Sequence, residues 1–263
     1  MLVGVQLKAR LIIIRIPSKI YRMTLFQLII LQFIAHILAD FIFQTDKKAI
    51  EKNQNGFKSG FLKSHALIVF SLSWVMSFQI NFVFAALTIA SSHWLLDGLK
   101  KYLNDHQKFG RYAFFIDQSM HLSVDLIIIY TFIKYFDINP LIRICLDGKK
   151  LAMIAGFLIC SKPANIFIKE ILRAFEIKYE SKEDTKNQEL QNAGKLIGII
   201  ERWLVLILVL LNQFAAVGFL IAAKSILRYQ DHETIKTEYV LIGTMLSFGI
   251  AIATAVSINL IKS

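Results

Sequence analysis

Proline and cysteine are almost missing from this chain, and acid is scarce. Three prolines in 263 residues leave long stretches free of a helix breaker. The two cysteines, Cys145 and Cys160, have no metal-ligand spacing and allow at most one disulfide, which excludes a thiolate metal site or a disulfide-stapled scaffold. Nineteen acidic residues stand against thirty basic ones, a formal net charge of +11. In a soluble domain that excess would point to nucleic acid. Here Lys and Arg gather in short segments between apolar runs and no basic domain stands apart, so the distribution is the positive-inside pattern of a membrane protein and nucleic acid is not expected as a partner. Several common chemical motifs are also lacking: no glycine-rich phosphate loop, no Gly-x-Ser-x-Gly elbow and no HExxH pair. The histidines are too few for the boxes of membrane desaturases.

What is present is apolar length. The chain is 56% hydrophobic with a mean hydropathy of +0.54, and runs of about 20 apolar residues recur from Phe26 to Ile261. The expectation is an all-α, polytopic transmembrane helix bundle of seven or eight spans, multi-pass in the cell inner (plasma) membrane, with the bilayer as its first partner. Residues 1–22 read as a basic extension preceding Met23, either upstream of the natural start or a basic anchor on the membrane surface. Residues 23–136 form a four-helix core, with spans near Thr24–Phe43, Leu62–Gln79, Phe82–Leu99 and Tyr112–Phe136. Residues 137–178 hold one kinked span, or a short span and an interfacial helix, with Ser161 placed to cap a new helix at Lys162-Pro163. Residues 179–195 are a polar linker, and 196–263 carry the last spans, ending in Tyr239–Ile261.

Into the four-helix core the sequence inserts groups a membrane span ordinarily avoids. His36 and Asp40, His93 and Asp97, and Asp117 and His121 each stand four residues apart, so each pair shares a helix face, and His65 stands alone. An ionisable group costs about 2.5–3.5 kcal/mol near the centre of a span. Four alternating spans bring the end of the first, the start of the second, the end of the third and the start of the fourth to one side of the membrane. All seven residues therefore meet there. The loops on that side are rich in Lys and Arg, which assigns it to the cytoplasm.

Imidazole and carboxylate without thiolate suit a divalent metal such as Zn, Mn or Fe. His36, Asp40, His93, Asp97, Asp117 and His121 are the candidate ligands, with His65 a further ligand or a general base. Extending the same faces adds Gln44 and Asp125, and Gln118 stands next to Asp117; these three would orient ligands or serve polar packing. A metal with an open position lowers the pKa of bound water to about 7 and makes hydroxide available for hydrolysis. Three readings follow. The chain is a metal-dependent hydrolase of a lipid or membrane-proximal ester or phosphate, a transporter of a divalent metal or of protons, or a structural or sensor protein whose paired groups hold the bundle together. Glu201-Arg202 reads as an interhelical salt bridge or an interfacial pair, and His106 and His232 as loop residues without a role.

The segments HILADFIFQTD, KSHALI, SHWLLDGLK and FFIDQSMHL resemble, in order, the motifs of a bacterial membrane family known as domain of unknown function 3307. The later stretch from NAGKLIGIIERW to EYVLIGTMLSFGIA is similar to the tail of many of its members. The resemblance marks His36, Asp40, Gln44, His65, His93, Asp97, Asp117, Gln118 and His121 as motif positions and implies nothing about mechanism. The pattern also loosely resembles membrane-bound metal-dependent hydrolases.

Overall fold

The computed structural model describes residues 23–141, 147–177, 188–228 and 234–261, and no strand occurs among them. The expectations for the extension 1–22, Cys145, His232 and most of the 179–195 linker lie outside the described residues.

The first helix, α1 (Leu25–Ile37), opens on a capping box: Gln27 N donates to Thr24 Oγ1 at 3.1 Å and Thr24 N to Gln27 Oε1 at 2.7 Å. Its last turn, Leu38–Ile42, is wound as a π-helix that closes with Phe43 N on Leu38 O at 2.8 Å. The polar segment expected to be a loop instead folds as α2 (Asp46–Asn55), capped by Thr45. It leads through Gly56 and Ser59 into α3 (Gly60–Ser77). Phe78 at φ 54° makes a tight reversal into α4 (Val83–Asn104), and α5 (Ala113–Tyr135) completes the four-helix unit. At the far end of the hairpin Gln79 Oε1 accepts from Asn139 N at 2.9 Å and Phe78 O from Leu141 N at 2.7 Å. The polar reversal is thereby satisfied by the chain leaving α5.

Helix α4 packs between α3 and α5, and α1 crosses α3 and α5. The core is apolar at the hairpin end, where Leu28, Ala86 and Phe82 are fully buried and the Phe82 and Phe132 rings meet edge-on at 4.8 Å. Inside a bilayer such contacts hold by close packing, because lipid is as apolar as the side chains.

The second half comprises α6 (Gly148–Ile159), α7 (Lys162–Ala174), α8 (Gln188–Leu210), α9 (Phe214–Arg228) and α10 (Thr234–Asn259). Helices α6 and α7 meet at a 53° bend. The hydroxyl of Ser161 does not cap α7 as the sequence suggested; it donates back to Phe157 O at 2.7 Å, and Pro163 opens the helix instead. Arg202 of α8, fully buried, fills the bend. Its Nε donates to Cys160 O (2.8 Å), Nη2 to Ser161 O (3.2 Å) and Asn165 Oδ1 (2.6 Å), and Nη1 to Ser247 Oγ of α10 (3.0 Å). The interhelical salt bridge expected here is made by Glu201, which pairs with Lys224 of α9, while Arg202 takes neutral partners.

Five described helical segments are long and apolar enough to cross a membrane: Leu25–Ile42, Gly60–Ser77, Ile80–Asn104, Gly110–Tyr135 and Val240–Asn259. The bent α6–α7 pair raises the number to six. These match the four core spans and the last span expected from sequence. The remaining helices fall short for physical reasons, since α8 carries Lys195, Glu201 and Arg202 and α9 is only 15 residues long. Seven or eight spans are therefore not established.

Candidate metal centre

The four core spans bring His36, Asp40, His65, His93, Asp97, Asp117, His121 and Asp125 into one buried cluster. His65, His93, Asp97 and His121 are 1% exposed or less. The π turn matters here. It adds a residue to α1 where Asp40 leaves the helix face, and it ends the helix before Gln44. The α-helical spacing that placed Gln44 beside His36 and Asp40 is broken. Gln44 is buried, its Oε1 has no hydrogen-bond partner among the described residues, and its backbone carbonyl accepts from Lys162 Nζ at 2.8 Å.

At the centre, four atoms from three helices converge. Asp40 Oδ1 lies 3.2 Å from His65 Nε2 and 3.1 Å from His93 Nε2. The two Nε2 atoms are 3.2 Å apart, and Asp97 Oδ2 is 3.5 Å from each. A tetrahedral metal with ligand bonds of about 2.0–2.2 Å has ligand–ligand edges about 1.6 times as long, near 3.3–3.6 Å. The two separations to Asp97 Oδ2 fall in that range, and the three among Asp40 Oδ1 and the two Nε2 atoms lie 0.1–0.2 Å short of it. They do not describe a complete hydrogen-bond network, since Asp40 Oδ1 is buried without a hydrogen-bond partner despite its two imidazole neighbours. His65 Nδ1 and His93 Nδ1 are likewise buried and unpartnered.

Around this core, hydrogen bonds fix which ring nitrogens carry protons. Gln118 Nε2 donates to Asp40 Oδ2 (3.3 Å) and Asp117 Oδ2 (3.2 Å), which orients its amide and leaves Oε1 to accept from His36 Nε2 at 3.2 Å. His36 Nε2 therefore bears a hydrogen and orients the cluster rather than ligating through that atom. His121 Nδ1 donates to Asp117 O at 2.8 Å, since a carbonyl can only accept. In the neutral ring its Nε2 then carries a bare lone pair, and this atom is buried with no partner, while the ring lies 4.0 Å from that of His93. His36 Nδ1 faces Asp125 Oδ2 at 3.8 Å, too far for a direct hydrogen bond. A chamber of about 10 Å³ lies there, bounded by His36, Asp125, Gln32 and Ser73. Gln32 and Ser73 bond each other, with Ser73 Oγ on Gln32 Oε1 at 2.6 Å.

Two lysines complete the centre, and sequence reasoning missed both. Lys52 of α2, 2% exposed, donates to Asp97 Oδ2 at 2.6 Å, and Lys100 of α4 donates to Asp117 Oδ2 at 2.7 Å. Both stand in segments that read as solvated basic loops. The available signal was Thr45, a capping residue that starts a helix in the first of them. Gly56 seats α2 on α4: its φ is +53°, and a Cβ there would lie 2.8 Å from Gly98 O. Nearby, Ser59 Oγ and Gly60 N donate to Glu51, which holds that carboxyl below its usual range. Formally, the carboxylates of Asp40, Asp97, Asp117 and Asp125 against the two ammonium groups of Lys52 and Lys100 leave −2. One divalent cation balances that charge with all four imidazoles neutral.

His106 stays outside the cluster, accepting from Lys108 N at 3.3 Å within its own turn. Cys160 is a buried free thiol with no second cysteine among the described residues.

The fold and centre define an all-α protein with several helices long and apolar enough to cross a membrane and a buried histidine–aspartate cluster. Residues 28–144, which hold the entire cluster, match the family described as "Protein of unknown function (DUF3307)", the family that the motifs resemble. No curated protein and no solved structure matches the chain.

Proposed function

We propose that this protein is a membrane metalloenzyme. It holds one divalent cation, of the Zn, Mn or Fe type, on His65 Nε2, His93 Nε2, Asp40 and Asp97 near the cytoplasmic face, and hydrolyses an ester or phosphate bond of a lipid or membrane-proximal substrate. The observation that carries this reading is the approach of Asp40 Oδ1 and Asp97 Oδ2 to the same two imidazole nitrogens at 3.1–3.5 Å, with Asp40 Oδ1 left without a hydrogen bond. The donor set is that of a hydrolytic centre, and the bound metal would supply a water acidified toward neutral pH. His36, Gln118 and Asp117 orient the ligands from behind. His121, with its bare Nε2 against His93, is placed as a fifth ligand or as the base that accepts a proton from that water.

The test is metal content of the detergent-purified chain after reconstitution with Zn, Mn or Fe, beside a His65→Gln, His93→Gln variant that keeps both Lys–Asp pairs. About one equivalent in the wild type, lost in a variant that retains its helical circular dichroism, is the expected result, followed by hydrolysis on a panel of lipid esters and phosphates. A wild type that binds no metal would sink the proposal.

One observation favours a second reading, passage of a cation or proton. The polar lining continues from His36 inward to Asp125, Gln32 and Ser73 and the 10 Å³ chamber between them. Metal flux into proteoliposomes that is abolished by Asp97→Asn, without hydrolysis of any panel member, would decide for transport.

A further inference from the structure

Helices α3 and α4 turn His65 and His93 inward, and on their outer side they bound an open groove of about 690 Å³ along two helices long and apolar enough to cross a membrane. That size lies within the range of small-ligand sites, about 300–1,000 Å³. Its floor is made of small residues, Ala66, Ala90 and Ser91, and its walls are Leu67, Leu87 and Leu95. The three leucines are 64%, 57% and 48% exposed, so their apolar surface is offered to something other than this chain. The hydroxyl of Ser91 donates to Leu87 O at 2.8 Å and demands nothing of an occupant. The interior of the groove therefore suits a hydrocarbon chain.

The end toward the metal centre is different in kind. Lys63, in the first turn of α3, lines it and makes no ion pair among the described residues. Trp94 lines it too, with its ring braced by Phe57 at 5.0 Å. The indole N–H of Trp94 makes no hydrogen bond among the described residues, unlike that of Trp203, which donates to Phe157 O at 3.1 Å. A free ammonium and a free N–H donor at one end of an apolar trough complement an anionic headgroup above an acyl chain.

We propose that the α3–α4 groove seats one acyl chain of an anionic phospholipid, with Lys63 and Trp94 as its headgroup contacts. The seat puts the headgroup at the level of His65 and His93, one helix wall away. That the seated lipid is the substrate rests on the hydrolase reading above; the seat itself does not.

Trp94 reports on its own neighbour. In a Trp74→Phe, Trp203→Phe background it becomes the sole tryptophan, and lipids brominated along the acyl chain quench it on contact. In nanodiscs of unlabelled phosphatidylcholine, brominated phosphatidylglycerol should quench at about five-fold lower mole fraction than brominated phosphatidylcholine, the gain one surface lysine gives toward an anionic lipid. Lys63→Glu should bring the two curves together, and Ser91→Phe, which fills the floor from an exposed position, should lower quenching by both. Coincident curves in the Lys63 protein, or a preference that survives Lys63→Glu, would overturn the seat. The same titration on the His65→Gln, His93→Gln variant separates the two proposals. A preference kept without bound metal upholds the seat independently of the centre. A preference lost with the metal would make the lipid a ligand of the centre and overturn the groove.

Discussion

The two halves of the protein bury cations in opposite ways. In the second half Arg202 is alone among neutral dipoles: two backbone carbonyls at the α6–α7 bend, the amide of Asn165 and the hydroxyl of Ser247 take up four of its five donors. The carbonyls of Cys160 and Ser161 are orphans of a broken helix, and Arg202 answers both the unmet hydrogen bonds and the negative end of the α6 dipole. In the first half Lys52 and Lys100 lie among four carboxylates and four imidazoles, and Asp40 Oδ1, His65 Nδ1, His93 Nδ1 and His121 Nε2 still find no partner. The first arrangement is saturated by the chain itself. The second is left open by the chain, and polar atoms left open within a bilayer are a mark of function rather than support.

The sharpest way to break this contrast is Asp97→Ala in metal-free protein. It strands the Lys52 ammonium in a buried site and should cost about 3–5 kcal/mol. Adding Lys52→Met should restore most of that loss in an SDS unfolding titration, while the double variant stays unable to bind metal. If Lys52→Met gave no recovery, the pair would not be the source of the cost. Next in size is Arg202→Met, which should destabilise by about 2–3 kcal/mol through orphaned acceptors and leave metal content at its wild-type level. A fall in metal content there would mean the halves are coupled. Gly56→Ala comes third, at about 1–3 kcal/mol, because the backbone is left-handed there and the Gly98 carbonyl blocks a Cβ. It should loosen α2 and expose Lys52 to an amine-reactive label.

The smallest effect is at Asp46, whose hydrogen bond from Lys162, at 3.0 Å, holds its carboxyl below the usual range. A depressed folded pKa gives stability that is present above the unfolded value, about 3.9, and is lost as pH falls through the folded one. Asp46 is 66% exposed, so solvent screening keeps the contribution under about 1 kcal/mol. Asp46→Asn should therefore lower stability slightly at pH 7 and have no effect at pH 2; an undiminished effect at pH 2 would point to packing instead.

Much of the centre was legible because it depends on two simple periodicities. A spacing of four puts His93 beside Asp97, and alternating spans return four helix ends to one side, which is where the structure gathers His36, His65, His93 and His121. What escaped depends on tertiary contact or on a broken period. Lys52 is buried only because α2 docks on Gly98, a contact with no local signature beyond the Thr45 cap. Lys100 faces α5 from one position short of the four-residue stripe that runs through His93 and Asp97. Gln44 was lost to the π turn. Glu201 makes the interhelical ion pair its position suggested, but nothing local showed that Arg202, one residue on, would diverge from it to neutral partners on other helices.

The π turn at Leu38–Ile42 also sets a constraint on chain length. A π turn holds one residue more than an α turn, so deleting one there would let the segment close as ordinary α-helix and change the direction in which the residues beside the deletion are presented. Asp40 would point away from His65 and His93, and Thr45 would start α2 in a direction that carries Lys52 off Asp97. Leu38, Ala39 and Phe41 can be exchanged for other apolar residues without altering that phase; their number cannot. The count of residues from His36 to Thr45, more than their identity, is the feature by which a homologous chain would declare the same architecture.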